Sequence, residues 1–445
     1  MTLRNIFITI LLLSAALTVS AKLTFSGSIY QTVSIKPEAS TGLEEILVIN
    51  PSAPVTVTYE ASSASSSLTW QKFDNRGGGY ATDVTGITKN GNNYSIPFSG
   101  EDTGYIITDN GRPHYYWVVN YSNHYADIQN ISATMEVGDC DRASIIVTGN
   151  VQPVTYYSIN GRAMELSREM ELSYNTLEYD EGSNSYIQKN ITEYVSSTTG
   201  TIRVDAPLCD TQFTLTADRF LKTWGLEVSV ASETLTATAV SATCSATQEE
   251  KDNDNEQKVE SSLGGSAPVD ITFTAAITDA TIFHEWQFSH TAEFEDIFMR
   301  VTDTEFTQTF TEAGITYIRF VAGNATGECY YYSDVYEVMI GESALDCPNA
   351  FSPGSSEGIN DEWKVSYKSI VEFECHIFNR WGIEITSIKD PSQGWDGKKG
   401  GKLVPSGVYY YVIKARGADG KKYELAGDIN IINSSSSNTT IQPTE

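Results

Sequence analysis

Histidines and carboxylates are the side chains of this sequence that could act as acids, bases or metal ligands. The five histidines are His114, His124, His284, His290 and His376. His284 and His290 lie six residues apart, on the same side of an extended strand. They could meet a metal beside Glu285 and Glu293, but the same side carries Trp286, so we expect them to rim a hydrophobic core. The spacings HExxH, GxSxG and the P-loop do not occur, so the sequence predicts no catalytic residue, metal site or cofactor.

Acidic residues are too frequent in this chain for paired carboxylates to identify a glycosidase. There are 57 Asp and Glu residues against 29 Lys and Arg residues, which gives a formal net charge of −28. Glu178 and Asp180 flank Tyr179 close to Gly182, a pattern typical of a hairpin tip. A surface of this charge repels phosphate backbones, so the sequence excludes nucleic acid as a partner.

Two aromatic runs, Tyr115-Tyr116-Trp117 and Tyr330-Tyr331-Tyr332, could stack on sugar rings if their side chains were exposed. Aromatic residues in strands more often pack in the core or against the neighbouring strand. We therefore expect core or cross-strand packing for both runs, unless a flat exposed platform is found.

The N-terminus predicts export. Met1 and Arg4 precede an apolar stretch at residues 6–17, and small residues follow as far as Ala21, so residues 1–21 are predicted to be a signal peptide. The apolar stretch is shorter than the roughly 20 residues that a spanning helix needs. Since no later stretch is longer, we expect no transmembrane anchor after cleavage.

Strands are the elements that must position these residues, because Thr, Ser, Val and aromatic residues fill the runs between Gly, Asn and Asp. We predict an all-β chain of tandem immunoglobulin-like β-sandwich modules that ends in a small β-sandwich. The predicted parts are a signal peptide (1–21), an immunoglobulin-like module (22–137), a second β-sandwich module (138–246), an acidic and Gly/Ser-rich linker (247–266), a third module (267–343), a C-terminal module (344–433) and a disordered tail (434–445).

The third predicted module shares a feature with the first. Trp70 and Trp286 each follow an alternating strand at the same spacing, and each is followed by Gln. A two-sheet sandwich needs such a residue, because the indole fills the space between the sheets. A strand led by Gly314 then ends at Asn324. In these features residues 267–343 resemble the PKD-like immunoglobulin-fold domains of bacterial surface proteins, which implies a spacer or binding module.

The most specific pattern lies in the C-terminal module, where the run Phe-Asn-Arg-Trp-Gly is followed by Trp-Asp-Gly. The motif positions are Asn349, Phe351, Pro353, Gly358, Asn360, Asp361, Trp363, Phe378, Asn379, Arg380, Trp381, Gly382, Trp395, Asp396, Gly397, Gly407 and Tyr409. In order and spacing they resemble the type B, or gliding-motility-associated, C-terminal sorting domain of type IX secretion. The resemblance implies recognition by the type IX machinery, passage across the outer membrane, and release or attachment at the cell surface.

The same residues also fit a compact sandwich. Apolar and polar residues alternate over residues 371–377, which predicts one face in the core and one in solvent. We expect Trp381 to pack inside the module and Arg380 to pair with a carboxylate, Asp396 being the obvious candidate. Function is therefore expected from the folded module as a whole, and no single residue in it is predicted to be a catalyst.

Six cysteines in an exported chain are compatible with disulfides, and none of them forms a CxxC pair. They are Cys140, Cys209, Cys244, Cys329, Cys347 and Cys375. Cys375 lies on the side of its strand that is predicted to face the core, and Cys347 opens the first strand of the same module. They form either a disulfide or two buried free thiols, which behave as small hydrophobic residues.

The sequence thus predicts an exported, non-enzymatic protein with a structural or adhesive role, delivered to the surface or the medium through its C-terminal sorting domain. The expected partners are the type IX machinery and a cell-surface glycan or protein. The alternative is a carbohydrate-binding accessory protein, or a hydrolase whose active site no motif marks.

Overall fold

The computed structural model describes residues 23–195, 201–354 and 360–432. The fold is all-β, as predicted. Each module is built from β-sheets, and the one α-helix in these ranges has five residues. None of the helices in the described ranges has the length and hydropathy needed to cross a membrane. The predicted signal peptide (1–21) and tail (434–445) lie outside the described residues.

The first module is a two-sheet sandwich. Its sheets have the strand orders β1-β4-β8-β7 and β2-β3-β10-β9-β5-β6, with β3 and β10 parallel. Trp70 is buried between the sheets, as predicted, with its ring 5.7 Å from that of Tyr105. The strands are β1 (Leu23–Ser26), β2 (Val33–Ile35), β3 (Glu45–Ile49), β4 (Thr56–Glu60), β5 (Leu68–Phe73), β6 (Thr82–Asp83), β7 (Thr88–Asn90), β8 (Asn93–Pro97), β9 (Thr103–Asp109) and β10 (Arg112–Asn120), and the 3₁₀ turns are Ala39–Thr41, Gly78–Tyr80 and Tyr121–His124.

The second module begins earlier than the predicted boundary at residues 137/138. Strand β11 pairs with β12, so the residues from Asp127 onwards belong to this module. The boundary is the 3₁₀ turn Tyr121–His124, which contains neither Gly nor Pro and so gives no sequence signal. The elements are β11 (Asp127–Met135), β12 (Arg142–Asn150), β13 (Val154–Tyr157), β14 (Ala163–Leu166), β15 (Met170–Asp180), β16 (Ser185–Val195), β17 (Thr201–Asp205), β18 (Thr214–Ala217), α1 (Arg219–Thr223) and β19 (Val228–Ala231).

The larger sheet of the first module is buried on both faces. Four consecutive residues of strand β3, from Ile46 to Ile49, are buried, although a half-buried strand exposes every second side chain. Leu47 and Ile49 face the first module's own core, whereas Ile46 and Val48 join a core with residues of the second module. Because this sheet packs on both faces, the first two modules share a hydrophobic core.

One buried ion pair fixes the junction between these two modules. The side chains of Arg168 and Asp218 are 1% and 0% exposed, and Nη1 lies 2.8 Å from Oδ2. Arg168 also donates hydrogen bonds to the carbonyl oxygens of Gln152 and His124. Asp218 accepts a hydrogen bond from the Tyr121 hydroxyl at 3.0 Å and caps the N-terminus of α1. Since His124 and Tyr121 belong to the first module, the pair ties the two modules together.

The third module also begins before its predicted start at residue 267. Strand β20 pairs with β22, so residues 242–248 belong to this sandwich and not to the second module or the linker. Trp286 is 0% exposed between the sheets, as predicted. The strands are β20 (Ala242–Gln248), β21 (Gly264–Gly265), β22 (Val269–Ile277), β23 (Phe283–Ser289), β24 (Ile297–Val301), β25 (Glu305–Phe310), β26 (Gly314–Gly323), β27 (Tyr330–Tyr332) and β28 (Tyr336–Ile340).

The C-terminal module is built on a five-stranded sheet of order β30-β37-β36-β32-β33. Two short pairs complete the module: β29 with β31, which adds Leu345 and Tyr367 to the core, and β34 with β35, which is exposed. The strands are β29 (Ala344–Asp346), β30 (Ala350–Phe351), β31 (Ser366–Lys368), β32 (Ile370–Phe378), β33 (Glu384–Ile388), β34 (Lys398–Lys399), β35 (Lys402–Leu403), β36 (Gly407–Gly417) and β37 (Lys422–Ile431).

Part of the predicted linker packs against this C-terminal module. The backbone N–H of Tyr367 donates to the carbonyl oxygen of Asn255 at 3.1 Å, and that of Gln257 donates to the carbonyl oxygen of Tyr367 at 2.7 Å. The Asn255 side-chain amide donates to the carbonyl oxygens of Val365 and Pro391, both at 2.8 Å. The prediction of a free linker at 247–266 is therefore wrong for residues 253–257, because their polar groups satisfy the edge of β31.

A disulfide connects the first two modules with the last two. Cys140, in the turn between β11 and β12, is bonded to Cys329, which directly precedes β27. The bonded residues are 189 positions apart in the sequence, which is why spacing alone left the connectivity open. Polar contacts continue this junction, with the Asn324 amide donating to the carbonyl oxygen of Thr238 at 3.1 Å.

Candidate functional site

The tryptophans at two of the motif positions form the core of the C-terminal module. Trp363 and Trp395 are 1% and 3% exposed, and each backbone N–H donates to the carbonyl oxygen of the other at 2.9 Å. Both indole N–H groups are satisfied, by the carbonyl oxygens of Pro348 at 2.6 Å and Lys398 at 3.0 Å. The rings of Phe351 and Tyr409 lie 5.5 and 5.3 Å from that of Trp395. These four motif residues hold the module together.

The loop residues of the motif shape the turns around this core. Gly397 has φ +73°, and an added Cβ would lie 2.9 Å from Cγ of the buried Pro353. Asn360 has φ 53° and accepts a hydrogen bond from the Ser352 N–H at 3.0 Å. Asp361 Oδ1 accepts from the Gly354 N–H at 2.9 Å. Gly358 lies outside the described residues.

Three further motif positions lie at the ends of strands: Asn349, Gly407 and Phe378. The Asn349 carbonyl oxygen accepts a hydrogen bond from the Asn430 N–H at 2.8 Å, which leads β30 onto the edge of β37. Gly407 begins β36 with φ +146°, a conformation that residues with a Cβ rarely adopt. Phe378 ends β32 opposite Tyr410. These positions are structural, in agreement with the view that the folded module, and not one residue, is the signal.

The tip of the β32–β33 hairpin differs from the prediction. Trp381 is 69% exposed instead of packed in the core, and the guanidinium of Arg380 lies over its ring at 4.2 Å from the centroid. Asn379 Oδ1 accepts hydrogen bonds from the N–H groups of Trp381 and Ile383, at 3.0 and 3.1 Å, and Gly382 takes φ +75°. The turn is thus closed by its own side chain, which leaves the indole outside the core.

The predicted Arg380–Asp396 pair does not form. Asp396 instead accepts from Lys398, whose Nζ lies 2.7 Å from Oδ2 and whose backbone N–H lies 3.0 Å from Oδ1. These contacts lower the pKa of the Asp396 carboxyl. Lys398 lies two residues after Asp396, directly after the Trp-Asp-Gly run, so Asp396 pairs with this local partner and not with the distant hairpin tip. Arg380 is left to stack on Trp381, a cation–π contact.

The outer face of the sheet carries an apolar stripe that sequence reasoning missed. Val408, Tyr410 and Val412 alternate along β36 with exposures of 43%, 46% and 42%. Phe378 lies opposite Tyr410 on β32, and the exposed hairpin tip follows it directly. The signal was present in the run from Val408 to Val412, which is apolar on both faces, whereas a solvated antiparallel sheet normally alternates. The hairpin tip and this stripe together form the exposed apolar surface of the module, named here the tip surface.

The possible disulfide between Cys347 and Cys375 is not formed. Both residues are free thiols in the described part of the chain. Cys375 is 0% exposed on the core face of β32, as its alternation predicts, and burial raises its pKa to about 12. Burial also raises the pKa of Cys347, whose thiol lies beside the Tyr411 hydroxyl. The second alternative, two thiols packed as small hydrophobic groups, describes this pair.

We expect these two thiols to resist alkylation in the folded protein, because only the thiolate reacts and both pKa values are raised. Treating the native chain with iodoacetamide at pH 8 and mapping its peptides should leave Cys347 and Cys375 unmodified. The same treatment in guanidinium chloride without reductant should modify both, whereas Cys140 and Cys329 should need reduction first. Recovery of a peptide that links Cys347 to Cys375 would contradict this assignment.

The histidines do not form a shared site. His290 Nδ1 pairs with Asp296 at 2.8 Å, and its ring stacks on Phe298 at 4.3 Å. The ring of His284 instead lies 6.0 Å from that of Phe320. Across the described ranges, no group of three His, Cys, Asp or Glu side chains is close enough to hold a metal ion.

Family comparisons agree with the geometry of two modules. Residues 345–431 match the CHU_C type IX secretion signal domain, and residues 132–232 match the fibronectin type III domain. The first match confirms the predicted sorting domain. The second confirms that a sandwich module of immunoglobulin-like architecture lies upstream, and it begins within β11, in accord with the observed start of the second module. No curated protein matches the sequence.

Several solved structures resemble parts of the chain. Dimeric latent PorU from Porphyromonas gingivalis is 10% identical, with a TM-score of 0.15, over 73% of this chain and 36% of PorU. The fibronectin(III)-like modules of CbhA from Clostridium thermocellum are 14% identical, with a TM-score of 0.17, over 42% of this chain and 95% of theirs. The BSP domain of a biofilm-associated protein is 8% identical, with a TM-score of 0.16, over 94% and 96%. This chain therefore spans about a third of PorU. At these TM-scores the likenesses carry no information on function.

Proposed function

We propose that this chain is a non-enzymatic surface or secreted protein with an adhesive or structural role, and that its C-terminal module is the part the type IX machinery handles. The observation that carries the proposal is the match of residues 345–431 to the type IX secretion signal domain. Such a signal marks a protein for export to the cell surface or the medium. The sandwich modules before it are the cargo.

The contacts between modules support a structural role for the cargo. The first two modules share a hydrophobic core and the buried Arg168–Asp218 pair. The last two are joined by mutual backbone contacts, such as the Ala313 N–H donating to the carbonyl oxygen of Ala418 at 3.0 Å. With the disulfide between the pairs, the chain acts as a stiff spacer that presents its faces at a fixed distance from the sorting module.

The carboxylates in the cleft next to α1 support a non-enzymatic role. Glu169 is paired with Arg219 and Glu171 with Lys222, so each has a cationic partner on the helix. A general acid in a glycosidase needs a raised pKa, which an adjacent cation opposes. These pairs therefore serve to hold the helix to strand β15.

The tip surface is the part of the sorting module that we propose the machinery contacts. An exposed indole beside a guanidinium is a combination enriched at the centres of protein interfaces. The flanking apolar stripe, whose residues are 42–46% exposed, would extend the contact area. The buried motif residues would then act by keeping this surface in place.

Deleting residues 344–445 in the native host should abolish delivery, because the deletion removes the whole sorting module. Cell fractionation with immunoblotting would show the truncated chain inside the cell envelope and the full chain at the surface or in the medium. Deleting only residues 434–445 is the matched control and should leave delivery unchanged if the tail is a passive extension. Normal surface amounts of the 344–445 deletion would overturn the proposal.

The non-enzymatic part needs its own test, because an active site without a known motif is the competing explanation. The purified chain should release no reducing sugar from polysaccharides that it binds. Turnover that a single carboxylate substitution abolishes would replace the adhesive role by a hydrolytic one, and it would leave the export result unaffected.

A further inference from the structure

An aromatic platform lies on the outer face of the third module, at strand β27. Tyr330 and Tyr332 are 51% and 55% exposed, and their rings lie 6.4 Å apart with an angle of 29° between their planes. Tyr331, between them, points the other way and packs against the module's core. Core packing therefore holds for Tyr331, whereas Tyr330 packs across to Gly323 of β26 and stays half exposed. The other run behaves as expected, since Tyr116 and Trp117 are buried.

Each ring of the platform is held by a neighbour within the module and keeps about half of its side chain exposed. The Tyr330 ring lies so close to Gly323 that an added Cβ there would be 3.0 Å from its Cε1. The guanidinium of Arg319 lies between the rings of Tyr332 and Phe294, at 5.1 and 4.0 Å from their centroids. Supported rings keep their orientation without a ligand, so little conformational entropy is lost on binding.

A line of polar side chains continues from this platform across the sheet. Arg319 Nε donates to Gln287 Oε1 at 2.9 Å, and Gln287 Nε2 donates to Glu285 Oε1 at 2.6 Å. Arg300 pairs with Glu285 at the far end. Gln287 and Glu285 are both 7% exposed. The network fixes the Arg319 guanidinium through one nitrogen, and its two terminal NH₂ groups make no hydrogen bond to any other residue in the described ranges.

The hydroxyl groups of the platform add further hydrogen-bonding capacity. Neither the Tyr330 nor the Tyr332 hydroxyl bonds to another described residue, so both can donate and accept. Cys329, directly before Tyr330, is tied by its disulfide to the second module. The platform is thus held in place by its own module and bordered by donors and acceptors.

These features fit a sugar ring better than an apolar peptide side chain. The face of an aromatic ring is the negative side of its quadrupole, and the C–H groups on one face of a pyranose carry partial positive charge. A pyranose can therefore stack on each tyrosine while its hydroxyl groups, which lie around the ring edge, reach the Arg319 NH₂ groups and the tyrosine hydroxyls. Few polar ligands other than glycans combine an apolar face with so many hydroxyls.

We propose that the face formed by Tyr330, Tyr332 and Arg319 binds a glycan chain, with successive pyranose rings stacked on the two tyrosines. The site deepens the adhesive role proposed above, since it would supply the ligand class, but it lies in a different module from the sorting signal. Its failure and the failure of export are therefore separate results.

Affinity electrophoresis of the purified mature chain tests the site. Native gels containing laminarin, hydroxyethylcellulose, xyloglucan or polygalacturonate distinguish neutral from uronate glycans. We expect at least one of these to retard the chain. The double variant Y330A/Y332A should weaken binding about tenfold or more, by analogy with bases that stack on aromatic side chains.

Two controls make the result specific. Y194A removes a tyrosine of the second module that is 69% exposed and should leave retardation unchanged. R319M keeps both tyrosines but removes the hydrogen-bond donors, and it should weaken binding less than the double variant. Thermal unfolding of each variant checks that its fold is retained. The proposal is overturned if none of the four polysaccharides retards the chain, or if the folded double variant is retarded as strongly as the unsubstituted protein.

Discussion

Replacing Arg168 by methionine is expected to lower the free energy of unfolding of the first two modules by about 3–5 kcal/mol. The substitution leaves the Asp218 carboxylate fully buried with no cationic partner and removes the hydrogen bonds to Gln152 and His124. Methionine replaces the aliphatic part of the arginine side chain but not the guanidinium group, so the loss combines the unpaired charge with the space that this buried group leaves. Urea unfolding followed by tryptophan fluorescence would measure it.

The matched control is R219M, which removes an arginine in the adjacent helix. Arg219 pairs with Glu169 at the surface, where the two side chains are 28% and 50% exposed. Exposed pairs contribute about 1 kcal/mol or less, so this variant should unfold close to the unsubstituted protein. Equal losses for the two arginines would mean that the Arg168 network does not hold the modules together.

Two tryptophans of the sorting module are expected to respond in opposite ways. W363A empties a site that is 1% exposed and should destabilise the module by about 3–5 kcal/mol. W381A removes a side chain that is 69% exposed and should leave the melting temperature nearly unchanged. Differential scanning calorimetry of the two purified variants would show the contrast.

Delivery to the cell surface distinguishes the structural role of Trp363 from the contact role proposed for Trp381. W363A should fail to reach the surface because the module is unfolded, whereas W381A should fail while folded, if the tip surface is what the machinery contacts. L403A is the control for W381A, because Leu403 is 53% exposed in the same module but lies on β35 and not in the β32–β33 hairpin. Normal delivery of W381A would remove the hairpin tip from the proposed contact.

Much of this fold could be predicted from the sequence, because strand alternation and tryptophan spacing depend on neighbouring residues. Trp70 and Trp286 occupy the cores of their sandwiches, and the Asn110-Gly111 turn joins β9 to β10. Cys375 also faces the core, as its strand predicts. Each of these follows from a few neighbouring residues.

The errors came from contacts between parts of the chain that are distant in sequence. The 253–257 segment is polar, which predicts exposure, but its amides pair with the edge of β31. Strand β3 is buried on both faces only because the second module covers one of them. The Cys140–Cys329 bond joins different modules. Periodicity within one strand contains no information about such partners.

In the candidate site, too, some features could be predicted from the sequence and others could not. The buried motif residues, such as Trp363 and Gly397, were identified as a unit from their pattern. The position of Trp381 was predicted wrongly, because a hydrophobic residue in a compact module is usually buried. In the structure the Asn379 side chain closes the turn, and the indole of Trp381 remains outside the core. Tyr330 and Tyr332 were expected to be packed because aromatic residues in strands usually are. Strand alternation does not show which face of an edge strand lies in solvent, so their exposure could not be predicted.

The most direct measurement of the central claim is the surface exposure of the full chain in its host, with and without a working type IX system. Intact cells would be treated with proteinase K and the surviving chain quantified by immunoblotting, with a periplasmic protein as the lysis control. Delivery through the C-terminal module predicts that the chain is degraded, or is already in the medium, when the machinery works, and that it is protected inside the envelope when an essential component is deleted. Equal surface exposure in the two strains would contradict the account.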